Sequence, residues 1–242
     1  MSQYANIISI GLEHPSVKQV IEIAEEILDE NKILNIDTLY YRAKKRLKIP
    51  SKGLKAIIQI LINNKILVNR SKFTRRTLLS NTTRKLIFNF IQSNIGSHFS
   101  LIKKVGISND MARSPGELIW HLDMLIKFNF IKKLKVKNYT IFLPYNVDDE
   151  SGIIFFFLRD DLNRKIIRQV LSSEPKDRAQ IHKLVGESRE TIYYRIQNLI
   201  EFQILELLED HKVKLNSKKV DIIMQILSEI SNGQELEFFK HN

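Results

Sequence analysis

The sequence contains no cysteine. Disulfides, thiolate nucleophiles, iron–sulfur clusters and cysteine-type zinc fingers are thereby excluded, and the composition suits a reducing compartment. Glycine and proline are sparse, 8 and 5 in 242 residues, so no Gly/Pro-rich tract argues for disorder. No apolar run approaches the roughly 18 residues that a membrane-spanning helix needs. The longest, residues 153–158, stops at Arg159-Asp160-Asp161. Catalytic signatures are missing as well. There is no HExxH, no Gly-rich phosphate loop and no Gly-x-Ser-x-Gly elbow, and His14, His98, His121, His182, His211 and His241 include no i, i+4 pair. The expectation is a soluble, cytoplasmic chain with no metal, cofactor, catalytic residue or small-molecule substrate, and with no cleavable leader in residues 1–14.

What is present is an ordinary globular composition, 43% hydrophobic and 27% charged, with a net charge of +11. Its distribution is uneven: residues 16–79 carry 14 Lys/Arg against 6 Asp/Glu, and residues 80–146 carry 10 against 3, whereas residues 147–242 carry 14 against 17. Contact with a polyanion therefore belongs to residues 16–146.

Three segments align without a gap: residues 56–67 (AIIQILINNKIL), 120–131 (WHLDMLIKFNFI) and 194–205 (YRIQNLIEFQIL). Ile58, Leu122 and Ile196 correspond, as do Leu61, Leu125 and Leu199, and their spacing marks the buried stripe of an amphipathic helix. Copies recur after 64 and then 74 residues, the size of a small domain and too long for a solenoid unit. Each copy is preceded by two helical patterns. In the first, residues 17–28 follow Ser16 as a candidate N-cap, and residues 39–47 come next. In the second, Asn81, Thr82 and Thr83 cap a helix carrying Leu86, Ile87, Phe90 and Ile91, and residues 97–102 form a short helix closed by Gly106. An extended stretch follows each long helix. In residues 131–143 the pair Lys137-Asn138 marks a hairpin turn. Helix, helix, turn, helix, hairpin is the order of a winged helix-turn-helix domain. The fold expected is mainly α with small β-hairpin wings (α+β), as three tandem winged helix-turn-helix domains: 16–79 and 80–146, both basic, and 158–216, acidic, followed by an amphipathic helix over 217–231.

The order of elements carries a resemblance. Ile95-Gly96-Ser97-His98-Phe99 resembles the Gly-x-His-Phe turn of archaeal tandem winged helix-turn-helix transcriptional regulators. Leu118-Ile119-Trp120-His121-Leu122-Asp123-Met124-Leu125 and Ser188-Arg189-Glu190-Thr191-Ile192-Tyr193-Tyr194-Arg195-Ile196 resemble their recognition helices. The likeness covers residues 80–215 and, more loosely, 16–79. An insertion at residues 108–116 and the acidity of the third copy depart from the pattern. The resemblance implies sequence-specific binding of duplex DNA and regulation of transcription.

Phosphate contacts are expected from Arg42, Lys44, Lys45, Arg46 and Lys48, from Lys52 and Lys55 on the third helix, and from Arg70, Lys72, Arg75 and Arg76 in the first wing. In the second wing, alternation places Lys133, Lys135 and Lys137 on one side, with Lys132 beside them. Base edges are expected to meet Ser51, Lys52, Arg113, Ser114, Glu117, Arg189, Glu190 and Arg195. A last helix, capped by Ser217, presents Val220, Ile223, Met224, Leu227 and Ile230 as a stripe for a homodimer. Two alternatives stay open: a protein-binding scaffold of the ESCRT-II kind, and a subunit of the transcription machinery.

Overall fold

The computed structural model describes residues 11–108, 112–171 and 175–231. The chain is mainly helical with two small three-stranded antiparallel sheets, an α+β protein. It forms two compact units. One takes in the chain up to Phe88 together with Gly106–Ile131; the other takes in Asn89–Val105 and the chain from Lys132 onward.

In the first unit, α1 (Pro15–Asn31), α2 (Ile36–Arg46) and α3 (Ser51–Asn63) pack around Val20, Ala24, Ile27, Leu39, Ala43, Leu54 and Leu61. The N-cap of α1 is His14, whose Nδ1 accepts from the Ser16 amide at 3.2 Å. Ser16 therefore lies inside the helix and is not its cap, because Pro15 already occupies the first turn, where its missing N–H costs nothing. No hairpin follows α3 among the described residues. Instead the chain is held beside the α1–α2 connection by Leu34 N to Ser71 O (2.8 Å) and Arg70 N to Leu34 O (2.7 Å). Thr74, through a capping box with Thr77, then starts the short helix α4 (Arg75–Leu78). That cap ends the extended chain too early for a second strand. Arg75 and Arg76, expected in a wing, are helical.

Helix α5 (Thr82–Ser93) is capped by Asn81, whose Oδ1 accepts from the Arg84 amide at 3.0 Å. Strand β1 (Ser97–His98) leads into α6 (Phe99–Ser108), so the stretch expected as a helix from Ser97 begins as a strand. Gly106 does not close α6. It lies inside the helix at a negative φ, where a Cβ would stand 3.8 Å from Leu118. Its counterpart Gly186 does close a helix, in the left-handed region at φ 77°. Next come α7 (Pro115–Lys127) and the hairpin of β2 (Ile131–Val136) and β3 (Tyr139–Pro144), turning at Lys137 with φ 52°. The sheet order is β1-β3-β2, with Ser97 opposite Phe142.

Helix α8 (Asp149–Leu158) lies outside the domain boundaries expected from sequence. Ile154, Phe157 and Leu158 are buried, and Ile153, Phe155 and Phe156 on its other sides are half-buried. A helix apolar all round has to sit in a core. The third copy follows: α9 (Asp161–Val170), β4 (Lys176–Asp177), α10 (Arg178–Val185), α11 (Arg189–Glu201), β5 (Leu205–Leu207) and β6 (Lys212–Leu215), with sheet order β4-β6-β5. Asn216, not Ser217, then caps a 3-10 turn over Ser217–Lys219, and α12 (Val220–Ser231) packs on α8.

Helices α3, α7 and α11 are each 13 residues long. Two residues beyond each end, Lys65, Asn129 and Gln203 adopt φ of 55°, 55° and 56°. The next amides, of Ile66, Phe130 and Ile204, donate back to the carbonyls of Leu61, Leu125 and Leu199 at 2.9, 3.0 and 2.8 Å. This is the same left-handed termination each time. It turns the chain out of each long helix into the extended segment beyond.

Candidate nucleic-acid interface

In the first unit, Leu39 and Ala43 anchor α2 in the core with Tyr40 half-buried against it, so helical periodicity leaves Tyr41, Lys44 and Lys45 toward solvent. Lys44 and Lys55 stand 6.0 and 5.6 Å from the ring of Tyr40, which draws cations from α2 and α3 to one place. Lys44, Lys45, Lys48 and Lys55 are exposed and form no ion pair among the described residues. Lys52, also exposed, sits in the first turn of α3. That turn has Pro50 as N-cap, no side-chain cap and no acidic residue. Its amide N–H groups are suited to an anion. The corresponding starts of α7 and α11 are closed by Ser114 and Ser188 and carry Glu117 and Glu190.

The arginines expected beside these lysines are differently placed. Arg42 pairs with Glu30 at 2.7 Å, Arg46 chelates Glu26, and Arg76 Nε donates to Glu25 at 3.0 Å. Carboxylates of α1 thus take up three of the candidate phosphate contacts. Arg46 hydrogen-bonds the Glu26 carboxylate and holds it below its ordinary pKa, and the guanidinium is raised in return. Such exposed pairs add little to stability, yet they decide where positive charge is free. Arg75 donates to the Asn129 carbonyl at 3.2 Å and lies 4.8 Å from the ring of Phe130, a packing position. Arg70, at φ 57°, and Lys72 are exposed in the irregular segment after α3. Arg113 is exposed before α7, and its amide donates to Glu117 at 2.8 Å.

In the second unit, Lys133 and Lys135 face solvent from one side of β2. Lys137 does not join them. It occupies the left-handed turn position, and its ammonium reaches Glu201 at 2.8 Å and Asn198 on α11. Lys132 pairs with Asp149 at 2.5 Å. On α11, Arg195 pairs with Asp160 at 2.8 Å, while Arg189 lies 5.0 Å from the Tyr193 ring. Of the cations expected at the second wing and third recognition helix, Lys133, Lys135 and Arg189 keep their charge away from carboxylates among the described residues. The stripe expected at a dimer interface is committed to the chain's own core: Ile223 and Leu227 are buried there, with Val220 and Ile230 packed against it. The reason is α8, an apolar partner within the same unit.

Two features escaped sequence reasoning. Lys103 and Lys104 are exposed on α6, and their signal was available as an adjacent lysine pair in a short second helix, like Lys44-Lys45. The role of Tyr40 in gathering lysines had no signal, since it depends on how α2 crosses α3.

No helix among the described residues is long and apolar enough to cross a membrane. No family model matches the chain. Over 133 residues, 55% of the chain, it is 29% identical to a protein of Methanocaldococcus jannaschii named as an uncharacterized HTH-type transcriptional regulator. The match covers 32% of that relative, so the chain spans about a third of its length. The chain is thus similar to an archaeal protein named as a regulator, which is not an enzyme class.

Proposed function

We propose that the chain is a sequence-specific DNA-binding transcriptional regulator built as three tandem helix-turn-helix modules, residues 16–79, 80–146 and 158–216, of which the second and third carry hairpin wings, ending in α12. The equal lengths and common termination of α3, α7 and α11 support the repeat, as does a short strand before the second helix that pairs with the hairpin in both later copies. The observation that carries the function is the lysine cluster at the α2–α3 junction, beside a helix start with no side-chain cap. Mobile cations spaced along two helices suit successive phosphates, and the uncapped amides add a fixed partial positive charge. The similarity to a protein named as an HTH-type regulator points the same way.

Fluorescence anisotropy with duplex genomic fragments tests this. Affinity is expected to fall by orders of magnitude between about 50 and 200 mM salt, and the Lys45→Ala, Lys48→Ala double variant to lower the salt slope by roughly 2. Absence of binding to any duplex at low salt, or an unchanged slope in the variant, refutes the reading. A second reading, contact with protein, is favoured for the third copy alone: Leu184 and Tyr194 are exposed on it and Arg195 is engaged by Asp160. Partners recovered after nuclease treatment, and lost in a Leu184→Glu variant, would support it.

A further inference from the structure

The second wing is partly occupied by its own chain. Lys132 on β2 pairs with Asp149 at 2.5 Å and Lys137, at the turn, pairs with Glu201 at 2.8 Å, whereas Lys133 and Lys135 are exposed and meet no carboxylate among the described residues. The two pairs differ in kind. Asp149 lies in the first turn of α8, where the helix dipole favours a carboxylate with or without a lysine beside it. Glu201 is the last residue of α11, where the same dipole disfavours one. An outside cation has to offset that charge, and Lys137 supplies it.

An ammonium carries three N–H donors and asks for several partners. Lys137 finds them on one stripe of α11: the Glu201 carboxylate, the Asn198 Oδ1, and the face of the Tyr194 ring, 5.8 Å away. Their spacing, i, i+4 and i+7, places the three along one side of the helix. Asn198 is only 8% exposed, so its side-chain carbonyl is committed to the wing more than to solvent. The turn is shaped to match: Lys137 holds the left-handed backbone at φ 52°, and only 28% of its side chain remains exposed. Three convergent groups on the helix that the repeat would offer to a partner thus receive the second wing instead.

We propose that the third copy is an internal competitor for the second wing: the Tyr194, Asn198 and Glu201 stripe of α11 is an acceptor for the lysine-bearing turn, and duplex DNA gains the wing tip only by displacing it. A carboxylate and a backbone phosphate bind the same ammonium through the same charge-assisted hydrogen bond, so Glu201 stands where a phosphate would. The proposal rests on the DNA-binding reading above and gives the acidic third copy a part in it, restraint of the wing. Glu201 is half exposed, and exposed ion pairs are weak, so the restraint is partial and amounts to a severalfold change in affinity.

Glu201→Gln removes the competing charge at a position where the helix does not need it. In the full chain without DNA, trypsin is expected to cut after Lys137 severalfold faster than in the wild type, at an unchanged Tm. With a duplex genomic fragment at about 50 mM salt, affinity read by fluorescence anisotropy should rise about threefold to tenfold and the salt slope should steepen by up to about 1. Loss of a negative charge anywhere on the surface raises affinity for DNA a little, so a double-mutant cycle decides: the gain should vanish when Glu201→Gln is combined with Lys137→Met. Unchanged cleavage, unchanged affinity, or a full gain in the Lys137→Met background overturns the proposal. Steep, salt-dependent binding by the wild type with no gain in Glu201→Gln sinks this proposal alone, whereas no binding by any variant at low salt sinks the DNA-binding reading with it.

Discussion

Glu26 governs how much of the Arg46 charge reaches a partner, since the two side chains chelate each other on the exposed side of α1 and α2. Glu26→Gln removes the competing carboxylate and leaves the helix intact. Affinity for duplex DNA should rise severalfold at low salt and the salt slope should steepen by up to about 1; an unchanged affinity places Arg46 outside the interface. None of this was legible in sequence. The glutamates that engage Arg42, Arg46 and Arg76 lie 12, 20 and 51 positions away along the chain, and only the packing of α1 brings them close. His121 has a consequence of another kind. It is 3% exposed, and burial, then the charge of Arg84, holds its imidazole below the ordinary 6.5, with Glu117 at 3.7 Å pulling the opposite way. The unfolded chain therefore binds this proton more readily than the folded one. Stability tied to the neutral ring is complete above pH 6.5 and is lost as pH falls toward the depressed folded value. The Tm should drop between about pH 7 and 5.5, and His121→Gln should flatten that slope. His98, depressed in the same direction, leaves a residual slope.

Among the elements, α8 and α12 explain each other. The run at residues 153–158 was visible only as the longest apolar stretch, and the stripe on α12 only as a face needing cover; periodicity cannot say which element covers which. Once α8 is seen as a helix, each supplies the other's partner within the unit. Leu227 is 7% exposed in this core. Leu227→Glu should therefore destabilise the fold by about 3 kcal/mol or more, since it removes buried apolar surface and inserts an uncompensated charge. Chemical denaturation reads the loss. A variant of wild-type stability would mean that α12 does not pack as described. The long helices α3, α7 and α11 were the most legible elements, because stripes such as Leu54, Ile58 and Leu61 are strong and recur. The first wing was misread. Nothing in the order of residues 68–73 outweighs Thr74 and Thr77, which cap α4 and end the extended chain.

For the whole molecule, the basic-to-acidic gradient along the sequence was read correctly as charge and incompletely as surface, because ion pairs redistribute it in three dimensions. The hold on Lys137 was illegible for a related reason. Its partners Asn198 and Glu201 lie on α11, which only the folding of the second unit brings to the hairpin turn. The two compact units also have a consequence in time. Neither is a continuous stretch of chain: the polypeptide leaves the first at Phe88, re-enters it at Gly106 and leaves again after Ile131. A ribosome thus cannot make the two units strictly one after the other. The first waits for Ile131 to emerge, and Asn89–Val105, made early, waits for partners synthesised after Lys132. Deleting the second copy of the repeat, residues 80–146, would take chain from both units at once, whereas deleting the first or the third would touch one unit alone.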